Sequence, residues 1–168
     1  MPDPKEIEGA SHDDTATVEL IAAAIHETWR ALAAAEGWRM SPRFDQDYAL
    51  LEEADREDNR AAARRMPEVL ALAGLTLSAL PGLPENEVAA QLARNIERLA
   101  EAEHDGWMMQ RAQHGWRFAE TRDDAAKLHP AMRPYSELSE QEKGKDRNSV
   151  RNYPRFAERA GLGIAWLE

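Results

Sequence analysis

His26-Glu27-Thr28-Trp29 returns 78 residues later as His104-Asp105-Gly106-Trp107, and Gly37-Trp38-Arg39 returns at the same offset as Gly115-Trp116-Arg117. Further along, the offset becomes 87. Tyr48 then matches Tyr135, Leu51 matches Leu138, Glu53 matches Glu140, Arg60 matches Arg147 and Arg64 matches Arg151. Pro67 matches Pro154, and Ala73-Gly74-Leu75 matches Ala160-Gly161-Leu162. The change of offset falls in one loop, where added length costs little. Two tandem copies of a single unit is the simplest account. A copy of about 70 to 80 residues buries too little apolar surface to be secure alone. The two are therefore expected to pack into one domain about a pseudo-two-fold axis.

The unit reads as helix–loop–helix–strand. From Thr15 to Glu36, Val18, Ile21, Ala22, Ile25, Trp29 and Leu32 recur at the spacing of one helix face, and Gly37 is a natural stop. A second helical stretch is expected from about Tyr48 to Ala73, kinked or split at Pro67. Leu75 to Leu80 reads as a short strand, and Pro81-Gly82-Leu83-Pro84 as a turn joining the copies. In the second copy one long helix runs from Pro84 to Gly115. An irregular loop spans 118–134. Ser139 with Glu142 caps a further helix, which Pro154 interrupts and Gly161 ends. Residues 163–167 complete the pattern as a strand. The fold class is thus α+β and helix-dominated, with a loose tail at 1–14, one copy at 15–80 and the other at 84–168.

The chain has 168 residues, no cysteine and a formal charge of -10. The acid excess argues against binding a nucleic-acid polymer, whose backbone it would repel. Residues 122–159 carry nine basic and seven acidic side chains, so a small anion could still find a positive site there. No apolar run approaches the length of a membrane helix, and no signal sequence opens the chain, so the cytoplasm is the expected location. Without cysteine or HExxH spacing, neither a metal nor a thiol nucleophile is expected. The Gly-rich phosphate loops and the G-x-S-x-G elbow are also missing, and no carboxylate pair stands out as catalytic.

Five tryptophans stand beside three phenylalanines and three tyrosines. Trp38 and Trp116 each follow a helix-ending glycine and are expected in the core. Trp29 and Trp107 occupy equivalent helix positions. Across a two-fold cleft they would form a flat apolar slot of the kind that accepts a purine base. His26 and His104 lie three residues before these tryptophans and are expected to hydrogen-bond beside the slot. His129-Pro130 sits in a proline-bounded loop that can hold a ring against a ligand. Among the basic residues, Arg122, Lys143 and Arg147 are candidates for contacting an anion. The bland alternative for the paired arginines is an ion pair across the interface between copies.

The second copy carries more than the duplication. Gly115-Trp116, then Thr121-Arg122-Asp123-Asp124, Lys127, His129-Pro130, Arg133-Pro134-Tyr135, Leu138 and Glu142-Lys143 resembles a ryanodine receptor repeat domain over residues 92–162. Glu103 stands where that pattern has Asn, and Met132-Arg133 where it has Leu-Val. The first copy keeps the H-x-x-W and G-W marks over 17–77 but lacks the R-D-D…H-P loop, so it looks like a degenerate repeat. The resemblance implies a bacterial or phage stand-alone member that recognises an adenine nucleotide or an NAD-derived, ADP-ribose-like signal. It implies a ligand between the repeats, with Trp29 and Trp107 on either side of the base. It also implies contributions from His129, Pro130 and the polar residue before each matching arginine, Asn59 and Asp146.

The resulting expectation is non-catalytic binding of an adenine-containing small molecule, with no cofactor. The protein would serve as sensor, sponge or partner of a separately encoded effector protein. A protein-interaction module using the Trp-lined cleft, and a small hydrolase of a nucleotide signal, are the alternatives.

Overall fold

The computed structural model describes residues 14–168; the tail expected at the N-terminus lies, but for Asp14, outside the described residues. Helix α1 (Thr15–Glu36) has the predicted bounds. Gly37 closes it at φ 71°, a left-handed conformation that costs glycine little, and the Trp38 amide then reaches the Ala33 carbonyl. After a 3₁₀ turn at Tyr48–Leu50 comes α2 (Glu53–Ala71), then strand β1 (Leu75–Ala79). Pro67 does not split α2 as expected; the helix continues through it and ends one turn later. Pro154 sits in the first turn of a helix, where a missing N–H is harmless.

The helix expected over 84–115 is two, α3 (Glu85–Arg94) and α4 (Ile96–Gln113). They part at Asn95, whose backbone leaves helical geometry at φ -116°, ψ 12°, while its side-chain amide donates to the Gln91 carbonyl. The irregular loop contains a parallel pair of two-residue strands, β2 (Arg117–Phe118) and β3 (Leu128–His129). A second 3₁₀ turn, Tyr135–Glu137, leads to α5 (Glu140–Arg151), where the Ser139 hydroxyl accepts the Glu142 amide as the cap predicted. Helix α6 (Tyr153–Arg159) and strand β4 (Leu162–Trp166) complete the chain, which is helix-dominated with small sheets.

Strands β1 and β4 pair antiparallel, Leu75 opposite Trp166, Leu77 opposite Ile164 and Ala79 opposite Leu162. One hydrophobic core draws on both halves of the chain. Ile21, Met66, Leu70 and Leu75 meet Leu92, Leu99, Val150, Tyr153 and Phe156 in it, all nearly or fully buried. A smaller cluster of Ala100, Ala131, Tyr135 and Leu138 packs beneath Trp107.

The same polar contacts occur in each half. Glu19 accepts hydrogen bonds from the Tyr48 hydroxyl and the Arg60 guanidinium, and Arg60 also reaches Glu53. Glu97 likewise accepts from Tyr135 and Arg147, and Arg147 also reaches Glu140. These arginines therefore pair within their own half, not across the interface. Among the described residues, the ion pairs that do cross are Arg65 with Glu103, Arg111 with Asp58 and Arg159 with Glu27.

Trp116 is buried as expected. Trp38 is not: it stays half-exposed, its ring covered on one side by the Lys145 ammonium 5.1 Å away. No helix among the described residues is long and apolar enough to cross a membrane.

Candidate functional site

Helix α1 follows its apolar face into the core and so turns Trp29, one turn beyond His26, toward the second half. Helix α4 does the same with Trp107. Both indoles line one cavity of about 270 Å³ between the halves. Trp29 is 38% exposed, whereas Trp107 is half-buried. His26 donates from Nε2 to the Gln46 carbonyl at 2.7 Å, and His104 from Nε2 to the Arg133 carbonyl at 2.7 Å. Each loop that follows a Trp-bearing helix is thereby tied back to that helix, a buried polar group satisfying another.

Trp107 is the more elaborately held of the two. The His104 ring lies 5.6 Å from it, and the His129 ring meets it edge-on at 5.2 Å. The Arg111 guanidinium, one helical turn on, lies 4.6 Å from the Trp116 ring centre and 5.6 Å from that of Trp107. Burial pushes the Arg111 pKa down. Its nearest acid, Asp58, approaches Nε at 3.4 Å, but no hydrogen bond forms there and that nitrogen is left buried without one.

His129 has a defined tautomer. Its Nδ1 accepts the Ala131 amide at 2.9 Å, so in the neutral ring the proton sits on Nε2, a donor. Burial, reinforced by the positive charges of Arg122 and Arg111, lowers its pKa to about 4. A histidine in the unfolded chain protonates near 6.5. The unfolded state thus takes up a proton that the folded state refuses. This contribution to stability is complete above pH 6.5 and is lost as pH falls toward about 4. Urea unfolding at pH 7 and pH 5 should show a smaller loss for His129→Asn than for the wild type. An equal loss would mean that His129 does not control that pH range.

Asp146 also borders the cavity. Burial raises its pKa, while an Oδ2 to His104 Nδ1 distance of 3.5 Å works against that rise. Burial alone would lower the pKa of His104, but Asp146 and the Arg133 carbonyl together hold it above the ordinary value. With acceptors facing both ring nitrogens, the pair is suited to an imidazolium beside a carboxylate. Glu103, paired with Arg65, and Glu142, paired with Lys145, line the same cavity.

Of the residues singled out from sequence, Trp29, Trp107, His129, Asn59, Asp146 and Arg122 line this cavity. Pro130, Lys143 and Arg147 do not. Pro130 acts on the adjoining His129 through the chain. Lys143 lies over the Tyr135 ring at 5.3 Å and near Glu140. Arg147 is committed to Glu97 and Glu140. Arg111, Asp58, Arg65, Glu103 and Lys145 line the cavity without having been singled out as contacts. Only Arg111 had a readable signal, four residues after Trp107 on the same helix face.

The stretch from α3 through β4, which supplies Trp107, His129 and Asp146, matches a known family model over residues 84–165. Those residues are an RyR domain. The first half contributes Trp29, Asn59 and Asp58 from outside the matched range. The RyR domain supplies the histidine loop, and the N-terminal half closes the cavity over it.

Proposed function

We propose that this protein binds an adenine-containing nucleotide without chemical turnover, as a cytoplasmic sensor or sponge that can report to a separate effector. In this reading the ligand lies between two copies of one unit, related by a pseudo-two-fold axis. Two features support the duplication. The β1–β4 register is centred on Leu77 opposite Ile164, which are equivalent at the offset of 87. The tyrosine–glutamate–arginine network also recurs at equivalent positions.

The observation that carries the binding proposal is that the two equivalent tryptophans border one cavity. A purine offers flat faces to indoles and both donors and acceptors at its edge. His129 Nε2–H suits a ring nitrogen, and the Asp146 carboxylate or Asn59 amide suits the exocyclic amine. At about 270 Å³ the cavity is slightly below the usual range for drug-sized ligands, so it suits a base with its sugar.

Calorimetry of the purified protein against adenosine, AMP and ADP, with guanosine counterparts as controls, tests this. Saturable heat for the adenine series, with ligand recovered unchanged by chromatography, is the expected result. No heat from any adenine compound would overturn the proposal, and ligand consumption would favour a hydrolase.

A further inference from the structure

The two halves differ beside their tryptophans. His26 and His104 hold equivalent positions, and each bonds through Nε2 to a carbonyl at 2.7 Å, that of Gln46 in one half and of Arg133 in the other. The uncharged Asn59 stands where the second half has Asp146. The Asp146 carboxylate brings Oδ2 to 3.5 Å from Nδ1 of His104. A neutral imidazole donates from one nitrogen only. With a carbonyl facing Nε2 and a carboxylate facing Nδ1, both acceptors are served when the ring is an imidazolium. The ring is 2% exposed and lies 5.6 Å from that of Trp107, so its charge sits against one wall of the cleft.

The other charges around His104 are matched or screened. Glu103, one residue back on α4, is held by Arg65 of α2 and by the Tyr153 hydroxyl of α6. On α5, Glu142 has Lys145 at 3.4 Å. Asp105 is exposed to water. The Tyr135 ring is 6.2 Å away, and its hydroxyl donates to Glu97. The Arg133 guanidinium lies over the Phe118 ring at 5.4 Å. Loss of the His104 proton would therefore strip Asp146 of its counter-charge while leaving these other pairs intact. Burial opposes the charge on His104, but Asp146 and the Arg133 carbonyl outweigh it, so the imidazolium persists to higher pH than an ordinary histidine. His129, in the same cavity, has its pKa lowered by burial to about 4 and is neutral throughout that range.

We infer that the His104–Asp146 pair sets the charge of the nucleotide cleft and makes recognition of an anionic ligand depend on pH. With the proton on His104 the pair is neutral overall, and a negatively charged ligand meets no net opposition from it. Without that proton Asp146 is an uncompensated anion lining the cleft, and a negatively charged ligand is disfavoured while a neutral one is not. The inference rests on the adenine-binding reading of the cleft. The first half, with Asn59 in place of the acid, has no such pair to contribute.

Two probes separate charge from base recognition. Adenosine is neutral, and the phosphodiester of adenosine 3′,5′-cyclic monophosphate keeps a single negative charge at every pH used. Calorimetry of the full chain with each, in steps from about pH 6 to about pH 9, gives the ratio of the two affinities. In the wild type the cyclic nucleotide should lose about tenfold relative to adenosine as pH rises, the order expected of one unit charge roughly 10 Å away at a protein surface. By linkage its binding should also take up protons, seen as a heat that changes with the ionisation enthalpy of the buffer. Asp146→Asn, which copies the first half, should make the ratio independent of pH. A constant ratio without proton uptake in the wild type would overturn the inference and leave the adenine-binding reading intact; this outcome needs no variant. A pH-dependent ratio that survives Asp146→Asn would overturn it as well, because the titrating group would lie elsewhere. No binding of either probe at any pH would overturn both readings.

Discussion

Trp107→Ala is expected to weaken adenine-nucleotide binding by about five- to 150-fold, the equivalent of the roughly 1–3 kcal/mol that stacking a base on an aromatic ring contributes. Trp29→Ala should weaken it to a similar degree, but the two variants should differ in stability. Trp107 packs over the cluster of Ala100, Ala131, Tyr135 and Leu138 and is flanked by His104, His129 and Arg111. Its removal excavates that region and lowers the melting temperature. Trp29 is 38% exposed, and its loss should leave the melting curve close to that of the wild type. Trp29→Ala is therefore the cleaner probe, and Trp107→Phe should keep much of the affinity because a π face remains. Binding isotherms and melting curves measured together decide the matter. If Trp29→Ala keeps full affinity, the base does not lie in this cleft, and a peptide partner for the exposed indole becomes the better reading.

Glu103→Ala should destabilise the protein by about 3–5 kcal/mol, the usual cost of removing one partner from a buried ion pair. Glu103 is 7% exposed and accepts two hydrogen bonds from Arg65, at 2.9 and 3.2 Å. It also accepts one from the Tyr153 hydroxyl at 2.6 Å. Burial, followed by the neighbouring Glu103 charge, raises the Tyr153 pKa well above the ordinary value, so the hydroxyl stays a donor. Deleting the carboxylate strands a guanidinium and a hydroxyl where little water reaches. Such a loss is a large share of the stability of an ordinary domain. The combined variant Arg65→Met, Glu103→Leu, Tyr153→Phe removes the stranded groups as well and should recover most of it. Chemical denaturation of both proteins supplies the comparison. A cost below about 1 kcal/mol for Glu103→Ala would mean that these groups are solvated.

The helices were legible wherever the apolar spacing was strong and a glycine marked the end. Helix α1 runs from Thr15 to Glu36 as read, because Val18, Ile21 and Ala22 face the core and Gly37 stops the chain. The break at Asn95 was not legible, since the residues on both sides are good helix formers and the side chain that marks the break bonds only to the Gln91 carbonyl. The two prolines behaved differently for a reason invisible in their spacing. Pro67 lies inside a helix that already packs Ala63, Met66 and Leu70 into the core, whereas Pro154 stands where a new helix begins.

At the site, duplication was enough to single out Trp29 and Trp107, the proline-bounded loop pointed to His129, and resemblance added Asn59 and Asp146. None of these separated Arg122, at the cavity, from Lys143 and Arg147. All three are basic and near one another in the chain, and only their partners in space tell them apart. Arg65 gave no sign at all, because its role depends on Glu103, 38 residues away.

The pairing of β1 with β4 sets a timetable for synthesis. The residue opposite Leu75 is Trp166, so the first strand leaves the ribosome long before its partner has been made. Until then the apolar faces around Met66, Leu70 and Leu75 have only half of their cover. Contacts this distant in sequence close slowly, and the growing chain meanwhile presents the exposed hydrophobic surface and unpaired strand edge that invite association. The nascent protein therefore passes through a stage in which its first half is complete in sequence but unfinished in fold, and that stage lasts at least until β4 has been synthesised.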